Sequence, residues 1–280
     1  MVHYLLDRYP DCKVTCIDRL NYASYLLENL RDVMALPRFT FHQEDLAAGP
    51  GSLPVLLAEL IQTRILHFAA ASCVDRSFVQ PAFFMQNNVG AVETVLDAYR
   101  LYVDVHPLDA SRILIVHIST DEVYGVQFSG SVDDSAALQR TNPYAASKTA
   151  YDVLVAAYTK SYGLRTAVVR AKNIYGPLQY LEKLIPVTLD ALRHVGSDGV
   201  LPEAHRVRIH GDGTNRRSYL HMSDFVRAVD LVRTHTLCLD SFGDIFNVGV
   251  TQEIANWALR AEIDEAHFVY SVRDRPYNDA

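Results

Sequence analysis

Short apolar runs alternate with helix-length segments up to about residue 170, and this rhythm restricts the fold more than any other feature of the chain. Strand candidates lie at residues 13–17, 39–43, 64–69, 112–118 and 166–170. Helical patterns fall at 53–63, 81–101 and 142–162. A helix between two short strands returns the chain to run in the same direction, so the repeat builds βαβ units. The spacing predicts an α/β fold with a doubly wound parallel sheet. After Asn173 the rhythm loosens, and turn residues gather at 196–199 and 211–215. A smaller, mixed lobe is expected there. The expected division is 1–172 and 173–280, the second part intertwined with the first. No internal repeat or low-complexity tract interrupts either part.

With 280 residues the chain can bury a large core, and 49 % apolar with 21 % charged residues is ordinary for a globular protein. The net charge of −7 and the lack of any Lys/Arg block argue against nucleic acid or an anionic membrane as partner. Cys12, Cys16, Cys73 and Cys238 are scattered, which suits a reducing cytosol better than a disulfide framework. A cytoplasmic location is therefore expected. Cys12 and Cys16 lack a second pair, and a structural zinc site wants four ligands, so no metal is expected. No apolar run reaches the roughly 18 residues of a membrane span. The first ten residues carry an acid and do not read as a signal peptide.

The chemistry gathers at one strand end. Ile113-Leu114-Ile115-Val116-His117-Ile118 leads into Ser119-Thr120-Asp121-Glu122-Val123-Tyr124-Gly125. Asn142-Pro143-Tyr144-Ala145-Ala146-Ser147-Lys148 follows, with Asn142 a credible N-cap and Pro143 at the first helical position. Helical spacing then puts Tyr144 and Lys148 on one face. A Lys ammonium beside a phenol favours the phenolate, which can take a proton from a sugar hydroxyl. Asp121 and Glu122 add a second acid and base, so redox chemistry coupled to elimination is implied. His117, inside an apolar strand, reads as a core residue with a satisfied ring. Asp18 ends an apolar strand, where an acid can bind adenosine ribose hydroxyls and favour NAD over NADP, or serve as a solvated turn residue. Arg19 beside it keeps NADP in play. The small residues of Phe68-Ala69-Ala70-Ala71 admit either a close pyrophosphate or tight helix packing.

Together these residues resemble the extended short-chain dehydrogenase/reductase family, and within it the dTDP-glucose 4,6-dehydratases. The likeness runs from about Asp18 to Asp279. It is carried also by His67-Phe68-Ala69-Ala70-Ala71-Ser72-Cys73-Val74-Asp75-Arg76-Ser77, Asn173-Ile174-Tyr175-Gly176-Pro177, Glu182-Lys183-Leu184-Ile185-Pro186, Phe246-Asn247-Val248-Gly249 and Asp274-Arg275-Pro276. The resemblance implies a Rossmann-like domain with a substrate-binding lobe, NAD as cofactor, a nucleotide-sugar substrate and a homodimer pairing through residues 81–101 and 142–162. Its implied catalytic set is Thr120, Asp121, Glu122, Tyr144 and Lys148. Asp18, Arg19, Leu20, Asn21, Asp45, Leu46, Ala69, Ala70, Ser72 and Asn88, with Tyr144 and Lys148, would bind the cofactor. Ser72, Thr120, Asn173, Lys183, Leu184, Arg217, Asn247 and Arg275 would bind substrate. Read without the family, Arg217 is a solvated loop charge.

The chain also departs from the family pattern. A strand, a GxxGxxG turn and the start of a helix normally precede His3-Tyr4-Leu5-Leu6, and further helical sequence normally follows Asp279. The expectation is a fragment whose sheet lacks its central strand and so leaves two interior strand edges unpaired. Ala71 and Cys73 replace the family's usual Glu or Gln and His. The alternatives are a UDP-sugar epimerase or decarboxylase, and a catalytically silent binding subunit.

Overall fold

The structure is a computed structural model. It describes residues 1–59, 64–125, 133–198, 201–207 and 213–263, the side chains of 25, 26 and 260–263 excepted. Helix α1 (Val2–Arg8) leads to β1 (Val14–Asp18), β2 (Phe39–Gln43), α2 (Leu53–Glu59), β3 (Arg64–His67) and α3 (Val74–Val79). Then come α4 (Pro81–Val105), β4 (Leu114–Thr120), α5 (Pro143–Tyr162) and β5 (Thr166–Ala171). The remainder is β6 (Asn173–Tyr175), α6 (Leu184–Leu192), β7 (Arg216–Arg217), β8 (Tyr219–His221), α7 (Met222–Leu239), β9 (Asp244–Val248), β10 (Ile254–Ala255) and α8 (Asn256–Ile263).

Two compact units result. The first joins Met1–Ala171 with Asp224–Val248; the second joins Lys172–Ser223 with the chain from Gly249. Residues 224–248, expected in the later region, return to the first unit because β9 pairs with β5. In the first unit β3, β4, β5 and β9 form one parallel sheet in that order, and β1 and β2 form a separate parallel pair. This is the expected α/β, Rossmann-like fold. Among the described residues β1 bonds only to β2, and β3 bonds to β4 alone.

The central strands β4 and β5 are buried along nearly their whole length, as in a parallel sheet with both faces covered. Leu114, Ile115 and Val116 of β4 are wholly buried. Ile115 shares one core cluster with Val92, Val95 and Leu96 of α4, Val155 of α5 and Val168 of β5. Helix α5 begins as expected: Asn142 Oδ1 accepts from Ala145 N–H at 2.8 Å with Pro143 at the first turn. It ends at Gly163 in the left-handed region (φ +66°), the usual glycine stop. After β4, Thr120 caps a short 3₁₀ turn over Asp121–Tyr124 by accepting from Glu122 N–H. That turn closes at Gly125 (φ +75°, ψ −162°), where a Cβ would collide with the Gln139 carbonyl. Only glycine adopts this conformation without strain.

The second unit holds a parallel pair, β6–β8, and an antiparallel pair, β7–β10. A small apolar cluster of Ala191, Leu201 and Val207 takes in Leu184 and Val187 of α6.

Candidate active site

The C-terminal end of β4 and the first turns of α5 bring all five expected catalytic residues together within the first unit. Thr120 ends the strand, and Asp121 and Glu122 follow on the 3₁₀ turn. Tyr144 and Lys148 face them from α5, and both are buried. Thr120 Oγ1 donates to Asp121 Oδ1 at 3.3 Å. Lys148 Nζ donates to the Ile118 carbonyl at 2.7 Å, pinning α5 to the strand. Asn142, read from the sequence only as a cap, also donates Nδ2–H to Glu122 Oε2 at 3.1 Å. One amide therefore starts the helix and aims the carboxylate. Asn142→Ala is expected to lower stability by about 1 kcal/mol, read as a lower urea midpoint at unchanged m-value.

Electrostatics correct one expectation. Lys148 was expected to ease ionisation of Tyr144. Instead burial, followed by the charge of Glu122, pushes the Tyr144 phenol well above its ordinary value, with the Thr120 hydroxyl opposing. Burial also drives Lys148 down to about 7 against the pull of Asp152. In the fold as it stands the phenol is neutral, and the ammonium sits near its titration point at neutral pH.

Beneath this pair lies a polar layer that sequence reasoning missed. Asp152, one turn past Lys148, pairs with Arg170 of β5 at 2.9 Å, and both side chains are only 4 % exposed. Arg170 Nη1 donates to Tyr124 Oη at 2.8 Å, and Tyr124 Oη donates to Asn247 Oδ1 at 2.8 Å. Burial outweighs Arg170 and leaves the Asp152 carboxyl raised. Alongside, His67 of β3 and His117 of β4 are register partners. His117 is buried as expected, but its ring is not satisfied: both nitrogens lack a hydrogen-bond partner. The ring instead packs against the Tyr151 ring, with centroids 3.7 Å apart, and the His67 imidazole at 5.3 Å.

Burial drives His67 down to about 3 and His117 well below its ordinary value, the Lys148 charge adding to both. A depressed folded-state pKa means that the unfolded chain binds more protons. Stability is thus fully present above about 6.5 and is lost as pH falls towards about 3. His67 is expected to remove about 1.4 kcal/mol per pH unit in that window, and His117 acts in the same direction. Urea unfolding of His117→Leu should show a shallower acid slope and no loss at pH 8, since an unpartnered polar ring is being replaced.

Of the residues expected to bind the cofactor, Asp18 is exposed at the end of β1 and its Oδ1 accepts from Leu20 N–H at 2.7 Å. Asn21 holds the next turn through Ala23 N–H. Arg19 is paired with Asp45 at 3.2 Å, and Asp45 also caps the turn beginning at Leu46. The Leu46 side chain lies in the main core. Ala69 and Ala70 are partly exposed and Ser72 is exposed. Asn88 is wholly buried; its amide grips the Ala71 N–H and carbonyl at 2.7 and 3.0 Å and the Ser147 hydroxyl at 2.9 Å. It organises the β3–α3 loop from below.

Of the residues expected to bind substrate, Asn247 sits on β9 of the first unit, held by Tyr124. Asn173, Lys183, Leu184 and Arg217 are all in the second unit. Asn173 donates to the Ser218 carbonyl, Lys183 and Leu184 begin α6, and Arg217 lies on β7. Arg275 lies outside the described residues. No group of three or more His, Cys, Asp or Glu able to hold a metal occurs among the described residues. Their helices include none long and apolar enough to cross a membrane.

The family described as GDP-mannose 4,6 dehydratase matches residues 1–275. The chain belongs to this family. Among the relatives of this GDP-mannose 4,6-dehydratase family member is "Uncharacterized protein PB2B2.11" of Schizosaccharomyces pombe. The two are 38 % identical over 99 % of this chain and 84 % of that protein. The dTDP-glucose 4,6-dehydratase of Streptomyces griseus is 37 % identical over 92 % of this chain and 70 % of that protein. Among solved structures DesIV, a dTDP-glucose 4,6-dehydratase of Streptomyces venezuelae with "NAD and TYD bound", superposes with a TM-score of 0.82. It is 33 % identical over 99 % of this chain and 83 % of that one.

Proposed function

We propose that this chain dehydrates a nucleoside-diphosphate glucose, dTDP-glucose, to the 4-keto-6-deoxy sugar, with NAD as cofactor. The observation that carries the reading is the meeting of Asp121 and Glu122 with Tyr144 and Lys148 at one strand end. An oxidation needs the Tyr/Lys pair alone, whereas loss of water needs the additional acid and base.

The donor set suits NAD. Asp18 presents a carboxylate for ribose hydroxyls, with Arg19, Leu20, Asn21, Asp45 and Leu46 around it. Arg19 is already held by Asp45, which disfavours a 2′-phosphate there. Ala69, Ala70 and Ser72 leave room for the diphosphate and nicotinamide, above the loop that Asn88 holds. Bound NAD supplies the two-electron acceptor that takes hydrogen from C4 and later returns it to C6.

The chain's own groups move the protons. Tyr144 takes the proton of the 4-hydroxyl. Because its phenol is neutral in the fold, its own proton must leave first, and the Thr120 hydroxyl is the group that favours that loss. The 4-ketone acidifies the C5 proton, which Glu122 removes while Asn142 fixes the carboxylate. Asp121 then protonates the departing 6-hydroxyl. Ser72, Thr120 and Asn247 would hold the sugar, and Asn173, Lys183, Leu184, Arg217 and Arg275 the nucleotide. An Arg guanidinium matches a diphosphate by bidentate bonds. A homodimer through α4 and α5 fits the exposed Leu101, Val105, Val153 and Tyr162 on those helices. A cytoplasmic location fits the free cysteines Cys12, Cys16, Cys73 and Cys238.

Incubation of the purified protein with NAD and dTDP-glucose tests the reading, with UDP-glucose and GDP-mannose in parallel. A product lighter by one water, with a C4 ketone and a C6 methyl, is expected from dTDP-glucose. A C4 epimer of unchanged mass would overturn it in favour of an epimerase. Absence of saturable NAD binding would instead mark a silent subunit.

A further inference from the structure

The inference concerns how Lys148 is held, and so rests on the site proposed above. Lys148 Nζ bonds the Ile118 carbonyl on one side. On another lies the ring of Tyr151, its centroid 3.7 Å from Nζ. That ring is fixed in place. It packs on the His117 imidazole with centroids 3.7 Å apart, and its hydroxyl donates to the Ala69 carbonyl at 3.1 Å. The same oxygen meets His67 Nδ1 at 3.1 Å, so the His67 tautomer with hydrogen on Nδ1 completes the arrangement. Tyr151 is wholly buried.

We propose that Tyr151 is a positioning residue for Lys148: its ring face holds the ammonium against β4 and keeps it charged where water cannot reach. An aromatic face attracts a cation through its quadrupole, and the attraction grows on desolvation. The other groups around Lys148 come from each packed element. Tyr144 and Asp152 lie on α5, His67 on β3 and His117 on β4; Asp152 is paired in turn with Arg170 of β5. The histidines are neutral and supply no countercharge. Asp152 is an anion already shared with Arg170. The ring is therefore a large part of what replaces water for this ammonium.

The test reads Lys148 directly. Lysine labelled with carbon-13 at Cε gives separate signals for Lys13, Lys148, Lys160, Lys172 and Lys183, and Lys148→Arg assigns the one of interest. Its titration midpoint is followed in the wild type, in Tyr151→Phe, and in a series with increasingly fluorinated phenylalanine at 151. The series keeps the ring's shape while draining charge from its face. Phe is expected to leave the midpoint unchanged, and the most fluorinated ring to lower it by about one pH unit. The alkaline limb of kcat for dTDP-glucose should fall by the same amount while KM stays constant. A midpoint that does not move along the series overturns the proposal. If the protein proves not to be a dehydratase, the titration still decides the role of Tyr151, so the two failures are distinct.

Discussion

Tyr144→Phe is expected to lower kcat for dTDP-glucose by about 10³-fold, inside the roughly 10²–10⁴-fold range of a general acid–base group. The substitution keeps the ring, which packs edge-on against Phe84 at 6.4 Å, and removes the oxygen alone. Folding and NAD affinity should therefore stay near wild type. With no group to take the 4-hydroxyl proton, no ketone forms and nothing acidifies C5. Deuterium from solvent should not enter C5 of recovered substrate. Asp121→Asn makes the contrast. Oxidation and removal of the C5 proton continue, deuterium enters C5, and loss of water falls. If Asp121→Asn formed product at the parent rate, Asp121 would not be the acid. If Tyr144→Phe still exchanged C5 hydrogen at the wild-type rate, the oxidation would have another base.

Arg170→Ala is expected to cost about 3–5 kcal/mol, because it strands the Asp152 carboxylate in a dry interior. The pair is buried on both sides, and Arg170 also holds Tyr124 and the Asp134 carbonyl. Urea unfolding followed by circular dichroism measures the loss. The double replacement Arg170→Met with Asp152→Leu should recover only part of it, since the stranded carboxylate goes with its partner while Lys148 loses the Asp152 charge and Tyr124 loses a donor. A cost below about 1 kcal/mol for the single change would mean that water reaches the site, as it does at exposed pairs. The same substitution releases Tyr124 from one partner, so Asn247 should become less ordered as well.

Where periodicity and local chemistry decide, the sequence was readable. The strand at 39–43 was located with its observed limits, and α5 was found with its cap and its proline. Helix α4 was expected to stop at 101 yet runs to Val105, because Arg100 pairs with Asp104 one turn on and carries the polar end forward. Strand β3 stops at His67 rather than 69, and the Ala69 carbonyl is taken by the Tyr151 hydroxyl. The five catalytic residues were legible because their strand-end and i,i+4 placements are local. Asn142 toward Glu122, Asp152 toward Arg170 and Tyr151 toward Lys148 were not, because each role depends on a partner brought in by tertiary packing. The neutral state of Tyr144 escaped for the same reason: Lys148 was adjacent in the sequence pattern, but the extent of burial was not visible there.

Because one amide serves both the first turn of α5 and the Glu122 carboxylate, fraying of that turn and misalignment of the base are a single event. Exchange of the Ala145 amide hydrogen with solvent is thus a clock for how often the catalytic base lets go, one that ticks even when no sugar is present.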